Sequence, residues 1–422
     1  MTASKFESLL TRGVAEVTIE QELRKLLESG KRLRLKQGFD PSTPDIHLGH
    51  VVGLRKLRQF QELGHTIILI VGDWTARIGD PSGQVATRPM LSQKEIEANT
   101  QTYMKQFFKV VDKAKTEVKW QSEWYDKFGL NEVIKLTSKF TIAQLMARED
   151  FSKRFSAGNP ISLAEMLYPL LQAYDSVVIQ ADVEFGGTDQ KFNCLLGREL
   201  QQMSGQPPQQ VFLVPLLVGT DGKLKMSKTF GNHIGIDESP QEMYGKVMSI
   251  PDHLIIDYFQ LATDVPDEEI TEFREQLGSH STNPMILKKR LAYEIAAQFH
   301  GVESAREAEK YFSTVFQQRK LPEEIPEYAF IYLAGTSKGT ASVSGNLRVE
   351  HKEFRIDIAP TLVKEGIVKS NSELKRLLAQ GAIELDGNKI SNNIIDAHNG
   401  SVLKVGKRDF VRIAIELSSG GL

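Results

Sequence analysis

The sequence predicts a doubly wound parallel-sheet α/β domain, then an all-helical domain, then a small α+β domain. Three observations carry this expectation. A strand, a helix and a buried strand follow one another within about 40 residues near the start, the length of a βαβ unit. From Ser239 to about Gln318 the apolar pattern is helical throughout. The last 60 or so residues combine one amphipathic helix with a hairpin signal.

Taken in order, Arg32-Leu-Arg-Leu-Lys36 alternates charged and apolar residues, as a half-buried strand does, and a loop with Pro41 and Pro44 follows. Val52, Leu54, Leu57, Phe60 and Leu63 recur at helical spacing, with Gly64 placed to stop the helix. Thr66–Val71 is β-branched, apolar and free of charge, the pattern of a parallel strand covered on both faces. A largely helical region, about 85–165, reads as an insertion or subunit-contact segment. Val211–Val214 and Leu216–Val218 read as another buried strand. Ser239 with Glu242 has capping-box spacing with Pro240 at the first helical position, and Asn283-Pro284 repeats the start signal. Residues 321–353, with prolines and Gly/Ser/Thr clusters, read as a linker. Beyond it Ser370 and Glu373 open a helix with Leu374, Leu377 and Leu378 on one face, and Asp386-Gly387 marks a hairpin. The domain division is therefore 1–232, 233–320, a 321–353 linker and 354–422.

Composition narrows the functional classes. The chain has 422 residues, 41% hydrophobic and 25% charged, an ordinary globular mixture that excludes a collagen-like, coiled-coil or wholly disordered protein. Its 52 basic and 54 acidic residues give a net charge of −2, which removes whole-molecule basicity as an argument for nucleic-acid binding but leaves a local patch open. One such surplus lies from Thr361 to Leu422, with nine basic against seven acidic residues. The single cysteine, Cys194, forms no intramolecular disulfide and fits a reducing compartment. No apolar run approaches membrane-span length and no secretory signal is visible, so a soluble, cytoplasmic protein without a membrane partner is expected.

Three constellations could carry chemistry. His47-Leu-Gly49-His50 stands at the entry to the first helix, where an open α/β sheet binds ligands and free N–H groups meet anions. Lys223-Leu-Lys225-Met-Ser-Lys228-Thr229, flanked by Gly219, Gly222 and Gly231, suits a mobile loop closing over a polyanion. A third group comprises Gly79-Asp80-Pro-Ser-Gly83, the helix-spaced Tyr168, Gln172 and Asp175, and Gly186-Gly-Thr-Asp189-Gln190. Each alone has a plain structural reading: loop histidines, an exposed basic loop, capping aspartates, a core tyrosine. The nine histidines show no ligand spacing with carboxylates, so no protein-held metal is expected.

Together, HLGH and a glycine-flanked KMSKT after a βαβ start resemble the two signatures of class I aminoacyl-tRNA synthetases. Gly38-Phe-Asp40-Pro41, GDPSG, Tyr168-x3-Gln172-x2-Asp175 and GGTDQ narrow the resemblance to the tyrosyl-tRNA synthetase family. The segment from about Phe354 is similar to the small RNA-binding module of the ribosomal S-four type.

The resemblance implies a Rossmann-like catalytic domain and a two-step reaction. Tyrosine and Mg²⁺-bound ATP give tyrosyl-adenylate and pyrophosphate, then tyrosine passes to the terminal ribose of tRNA(Tyr). By position, His47 and His50 resemble donors to the ATP phosphates, with Gly49 between them in the same nucleotide-binding motif. Lys225, Lys228 and Thr229 resemble the loop that grips pyrophosphate. Asp80, Tyr168 and Gln172 match the ammonium site, and Asp175 the carboxylate facing the phenol. Gln190 would lie near the substrate carboxylate, Asp189 near the ribose and Asp40 near the adenylate. Lys364, Lys375 and Arg376 are the RNA-binding candidates, and a homodimer is implied. Two positions depart from the family pattern. Thr229 stands for the usual serine, and Lys36 stands where many members place a tyrosine as second phenol contact. A tryptophanyl-type enzyme is disfavoured by Asp175 with Gln172 and by the terminal module. A non-catalytic RNA binder on the same scaffold is disfavoured because both histidines and both key lysines are present.

Overall fold

The computed structural model describes residues 3–41, 45–82, 91–317, 325–344, 347–406 and 409–416. Its first sheet contains Glu16–Val17 (β1), Arg34–Phe39 (β2), Thr66–Val71 (β3), Thr116–Trp120 (β4), Val183–Gly187 (β5) and Gln210–Val214 (β6), in the order β1-β6-β5-β2-β3-β4. All neighbours are parallel except the β1–β6 edge pair. β3 is buried at every residue, as its apolar run requires between two covering layers. The helix Leu48–Glu62 returns the chain from β2 to β3, and Gly64 just beyond it takes φ +94°, a left-handed value that an unbranched backbone tolerates best.

After β2 the chain builds outward through β3 and β4, then returns to lay β5 on the other side of β2. This reversal opens a crevice beyond the carboxyl ends of β2 and β5, which is where open α/β sheets bind ligands. Phe60, Phe185 and Phe212 form a buried aromatic cluster against the sheet, with ring centroids 4.8 to 5.5 Å apart.

Four elements differ from expectation. The 85–165 region is mostly helical, but it contains β4, so it contributes an edge strand to the sheet instead of standing apart as an insertion. Thr-Glu-Val-Lys-Trp alternates as a one-sided strand does, and the helical flanks obscure it. Leu216–Val218 forms no strand; its Val218 makes only an isolated bridge to Lys225. The strand at Arg34–Phe39 is not half-exposed, because Lys36 is wholly buried. Finally, much of the expected 321–353 linker is strand: Glu327–Ser344 (β7) and most of Leu347–Asp357 (β8) lie in it.

The chain divides into two compact units, Met1–Glu309 and Lys310–Leu422. The helices Pro240–Met248, Ile255–Ala262, Asp267–Gly278 and Pro284–His300 belong to the first unit with the sheet. Arg12 and Arg55 anchor one of them, donating to backbone carbonyls at the end of the Ile255–Ala262 helix and just beyond it. Ser239 and Asn283 cap their helices, Ser239 accepting from the Glu242 backbone N–H and Asn283 from that of Met285.

The second unit holds a seven-stranded sheet in the order β10-β9-β12-β13-β7-β8-β11, completed by Ile383–Leu385 (β9), Asn388–Lys389 (β10), Ile394–Ala397 (β11), Val402–Val405 (β12) and Asp409–Glu416 (β13). Leu362, Leu374 and Leu378 from two short helices join Phe330, Leu403 and Ile413 in its core. Asp386 and Gly387 both have positive φ between β9 and β10, the two-residue turn that Asp-Gly favours.

Candidate active site

The crevice at the strand reversal is a cavity of about 380 Å³. Asp40, His47, Gly49, His50, Asp80, Tyr168, Gln172, Asp175, Asp189, Gln190 and Lys225 all line it. Residues separated by nearly 190 positions meet there because β2, β5 and the helix starts end on the same side of the sheet.

His47 is the N-cap of the Leu48–Glu62 helix, and His50 Nδ1 accepts the His47 backbone N–H at 3.3 Å. With Nδ1 so engaged, a neutral His50 carries its proton on Nε2 and keeps it free to donate. The two rings stack with centroids 3.9 Å apart. Burial holds His47 well below the ordinary histidine range, and the neighbouring rings and lysines push the same way. His50 is hemmed in by the cleft walls, which lowers it to about 4, although its ring stays accessible from the opening. Both histidines are therefore neutral donors at physiological pH. A side chain at Gly49 would press on the His47 ring at 2.9 Å, so this position needs glycine to keep that ring in place.

The segment after the lysine loop pairs with the HLGH entry: Leu48 donates to Ile234 and Ile236 to Ile46. The two signatures are thus joined by backbone. Lys225 Nζ lies 2.7 Å from Asp189, and Lys228 pairs with Asp45. Asn232 and Asp221 brace the loop through backbone and side-chain bonds. Lys228 and Thr229 lie beside the cavity and do not line it.

At the other end of the cleft, the Tyr168 hydroxyl donates to Asp40 at 2.8 Å and Thr75 Oγ1 donates to the second Asp40 oxygen at 2.6 Å. Burial raises the Asp40 carboxyl to about 7, with Asp80 adding to the rise. Asp80 accepts from Gln190 at 2.7 Å and from the Ser82 backbone at 2.8 Å. Asp175 accepts from Gln121 at 2.8 Å, Trp124 at 3.2 Å and Tyr125 at 3.3 Å. Burial raises Asp175 to about 7, while the Lys36 charge and the Gln121 bond oppose the rise.

Sequence reasoning missed Thr75, Gln121 and Arg148. Gln121 follows β4, a strand hidden between helices, so nothing local marks it as a sheet-end residue. Arg148 is buried and reaches Ser82, Asn193 and Asp150, with Asp80 3.6 Å away; only the tertiary fold brings those partners together. Gly83 and Pro44 lie outside the described residues. Lys364, Lys375 and Arg376 belong to the second unit, where all three are exposed.

Residues 28–317 match the family of tRNA synthetases class I (W and Y). The tyrosine–tRNA ligase of Dehalococcoides mccartyi strain CBDB1 is 54% identical over 407 residues, covering 96% of this chain and 98% of that one. That of Thermotoga maritima is 46% identical over 416 residues, covering 98% of each. The C-terminally truncated mitochondrial tyrosyl-tRNA synthetase of Aspergillus nidulans shares the fold at a TM-score of 0.63, with 24% identity over 75% of this chain and 95% of that one. The cleft geometry, the paired signatures and a match spanning most of the first unit lead to one conclusion: this chain belongs to the class I tRNA synthetases of the W and Y family.

Proposed function

We propose that the chain is a tyrosine–tRNA ligase, acting in the cytoplasm on tyrosine, ATP and tRNA(Tyr). The observation that carries this reading is the shared cavity. Neutral imidazoles and the loop residue Lys225, suited to phosphates, occupy one part of it, and Asp80, Tyr168, Gln172 and Asp175, suited to an amino acid with a hydrogen-bonding tail, occupy another.

In the first step a tyrosine carboxylate oxygen attacks the α-phosphorus of ATP, and the bond to the β-phosphate oxygen breaks to release pyrophosphate. No side chain bonds covalently to either substrate. The chain contributes positioning and charge stabilisation. His47 and His50 donate to phosphate oxygens, and Lys225 and Lys228 exchange Asp189 and Asp45 for the departing pyrophosphate. Thr229 adds a hydroxyl to that grip. Asp189, once released, accepts from the ribose, while Gln190 orients the carboxylate. Asp40 holds Tyr168 beside the ammonium site. Magnesium enters with ATP as the counter-ion of its phosphates. In the second step a terminal ribose hydroxyl of tRNA attacks the tyrosyl carbonyl and AMP leaves.

Asp175 supports tyrosine over tryptophan, because its carboxylate accepts a phenolic O–H at the closed end of the pocket. A phenylalanine ring there would forgo that bond and leave the carboxylate with only its protein donors, Gln121, Trp124 and Tyr125.

A second copy of the chain is the proposed partner of the first unit. Leu130, Ile134, Ile142, Phe155 and Leu163 are 56 to 80% exposed along one stretch of chain, large apolar side chains that a second copy would cover. Lys364, Lys375 and Arg376 offer the second unit's cations to tRNA phosphates.

Amino-acid-dependent exchange of pyrophosphate into ATP tests the central reading. Exchange with tyrosine is expected; exchange with tryptophan instead, or without any amino acid, would overturn it.

A further inference from the structure

Behind the amino-acid end of the cleft lies a set of buried polar groups that the reaction above leaves unused. Lys36 on β2 and Glu184 on β5 are direct neighbours in the sheet. Their charged ends are 2.9 Å apart, with side chains 0% and 1% exposed. Removing two charges from water this completely is costly unless their remaining bonding capacity is met. Here it is met. Lys36 Nζ also donates to the Gln172 carbonyl at 2.7 Å and to Ser176 Oγ at 2.8 Å. Glu184 accepts from Gln172 Nε2 at 3.1 Å, from Ser176 Oγ at 3.3 Å and from Gln209. Gly197 leaves room for the cluster, since a side chain there would sit 2.8 to 3.1 Å from Gln209, Ser176 and Glu184.

Two of these partners, Gln172 and Ser176, flank Asp175 on the helix Leu163–Ile179. Lys36 therefore grips that helix on both sides of the residue that faces the phenol. Glu184 holds the Gln172 amide nitrogen, which leaves the amide oxygen for the cavity. Lys36 itself does not reach the cavity and cannot touch substrate.

We infer that the buried Lys36–Glu184 pair is a positioning device for tyrosine recognition, setting the orientation of Gln172 and the electrostatic setting of Asp175. Lys36 thus acts from behind the pocket, through the helix Leu163–Ile179. The titratable groups facing Asp175 are Lys36 on β2, Glu184 on β5, Tyr125 after β4 and Asp40 at the end of β2. Lys36 is the one cation among them, so it favours the ionised Asp175 that accepts the phenolic proton.

This rests on the assignment of Gln172 and Asp175 as tyrosine contacts, so Gln172→Ala and Asp175→Asn serve as controls. Pyrophosphate exchange is measured across pH for these controls, for Lys36→Met, for the double variant Lys36→Met/Glu184→Gln, and for Ser176→Ala. The double variant avoids an unpaired buried carboxylate, and Ser176→Ala removes two bonds of the cluster, one to each partner, without unbalancing charge, so a folded protein carries the test even where Lys36→Met does not fold. The KM for tyrosine is expected to rise about 10- to 100-fold in the Lys36 variants and about 3-fold in Ser176→Ala, with the KM for ATP within about 2-fold of wild type. In Lys36→Met the acid limb of the tyrosine KM profile should also move to higher pH. An unchanged tyrosine KM in the folded variants, or tyrosine and ATP KM values rising together, would overturn the inference. If the two control variants leave the tyrosine KM unchanged, the site reading itself fails.

Discussion

Lys225 Nζ stands 2.7 Å from Oδ2 of Asp189, joining the lysine loop to the turn after β5. The pair is only partly buried, so it is worth little to stability and is easily exchanged for a stronger anion. On the proposed reading, ATP phosphates take the lysine and the ribose takes the aspartate. Lys225→Ala should lower the pyrophosphate exchange rate about 100-fold, the scale of losing one donor to developing charge, with the KM for tyrosine within about 2-fold of wild type. Steady-state exchange at varied tyrosine and ATP checks this, and a matching loss of tyrosine affinity would contradict it.

Acid should weaken tyrosine binding. Asp175, pushed up to about 7 from an ordinary 3.8, is mostly protonated in the free enzyme below neutrality and then no longer offers the ionised acceptor that the phenol needs. The KM for tyrosine is expected to climb as pH falls through about 7. Asp175→Asn should flatten that limb and raise the KM at pH 8 about 10- to 100-fold. His47 and His50 cannot supply the limb, since both are already neutral there. Stability runs the other way. A carboxyl raised in the folded state contributes stability that is full below its unfolded value and is lost as pH rises through about 7. Thermal unfolding of wild type and Asp175→Asn across that range measures this second effect.

Much of this arrangement is legible in the residues themselves, for local reasons. Thr66–Val71 can only be a strand covered on both faces, Ser239, Asn283 and Ser370 each accept from a backbone N–H as their spacing implies, and Asp386-Gly387 takes the turn that these two residues favour. The illegible parts depend on partners far along the chain. A lysine in a strand reads as solvent-facing, and burial of Lys36 is made tolerable by partners far along the chain, Glu184 on another strand and Gln172 and Ser176 on a helix. Gln121 and Arg148 carry no local pattern, and they become part of the site because β4 joins the sheet and Ser82, Asn193 and Asp175 lie within reach.

The apolar stretch of the first unit should govern assembly. Phe155 and Leu163 are 72% and 80% exposed, and burying each large apolar side chain is worth about 1.5 to 3 kcal/mol. Phe155→Glu and Leu163→Glu should each weaken a dimer at least about 10-fold and move sedimentation equilibrium towards the monomer mass. Wild-type protein sedimenting as a monomer at micromolar concentration would remove the second copy as the partner of this surface.

The second unit's cations should matter for tRNA and not for tyrosine activation. Lys364 and Arg376 pair with the carboxylates of Glu365 at 3.5 Å and Glu373 at 3.3 Å, and Lys375 is exposed on the same helix as Arg376. Exposed pairs of this kind are weak, so phosphates can displace the carboxylates at little cost. Replacing all three cations by alanine should leave pyrophosphate exchange within about 2-fold of wild type while raising the KM for tRNA in the charging reaction. A phosphate that no longer meets a cation keeps its counterion, so the slope of log affinity against log salt should become shallower by about two. Charging with an unchanged tRNA KM and an unchanged salt slope would mean that the second unit meets RNA through other residues, because neither quantity depends on the chemistry in the cleft.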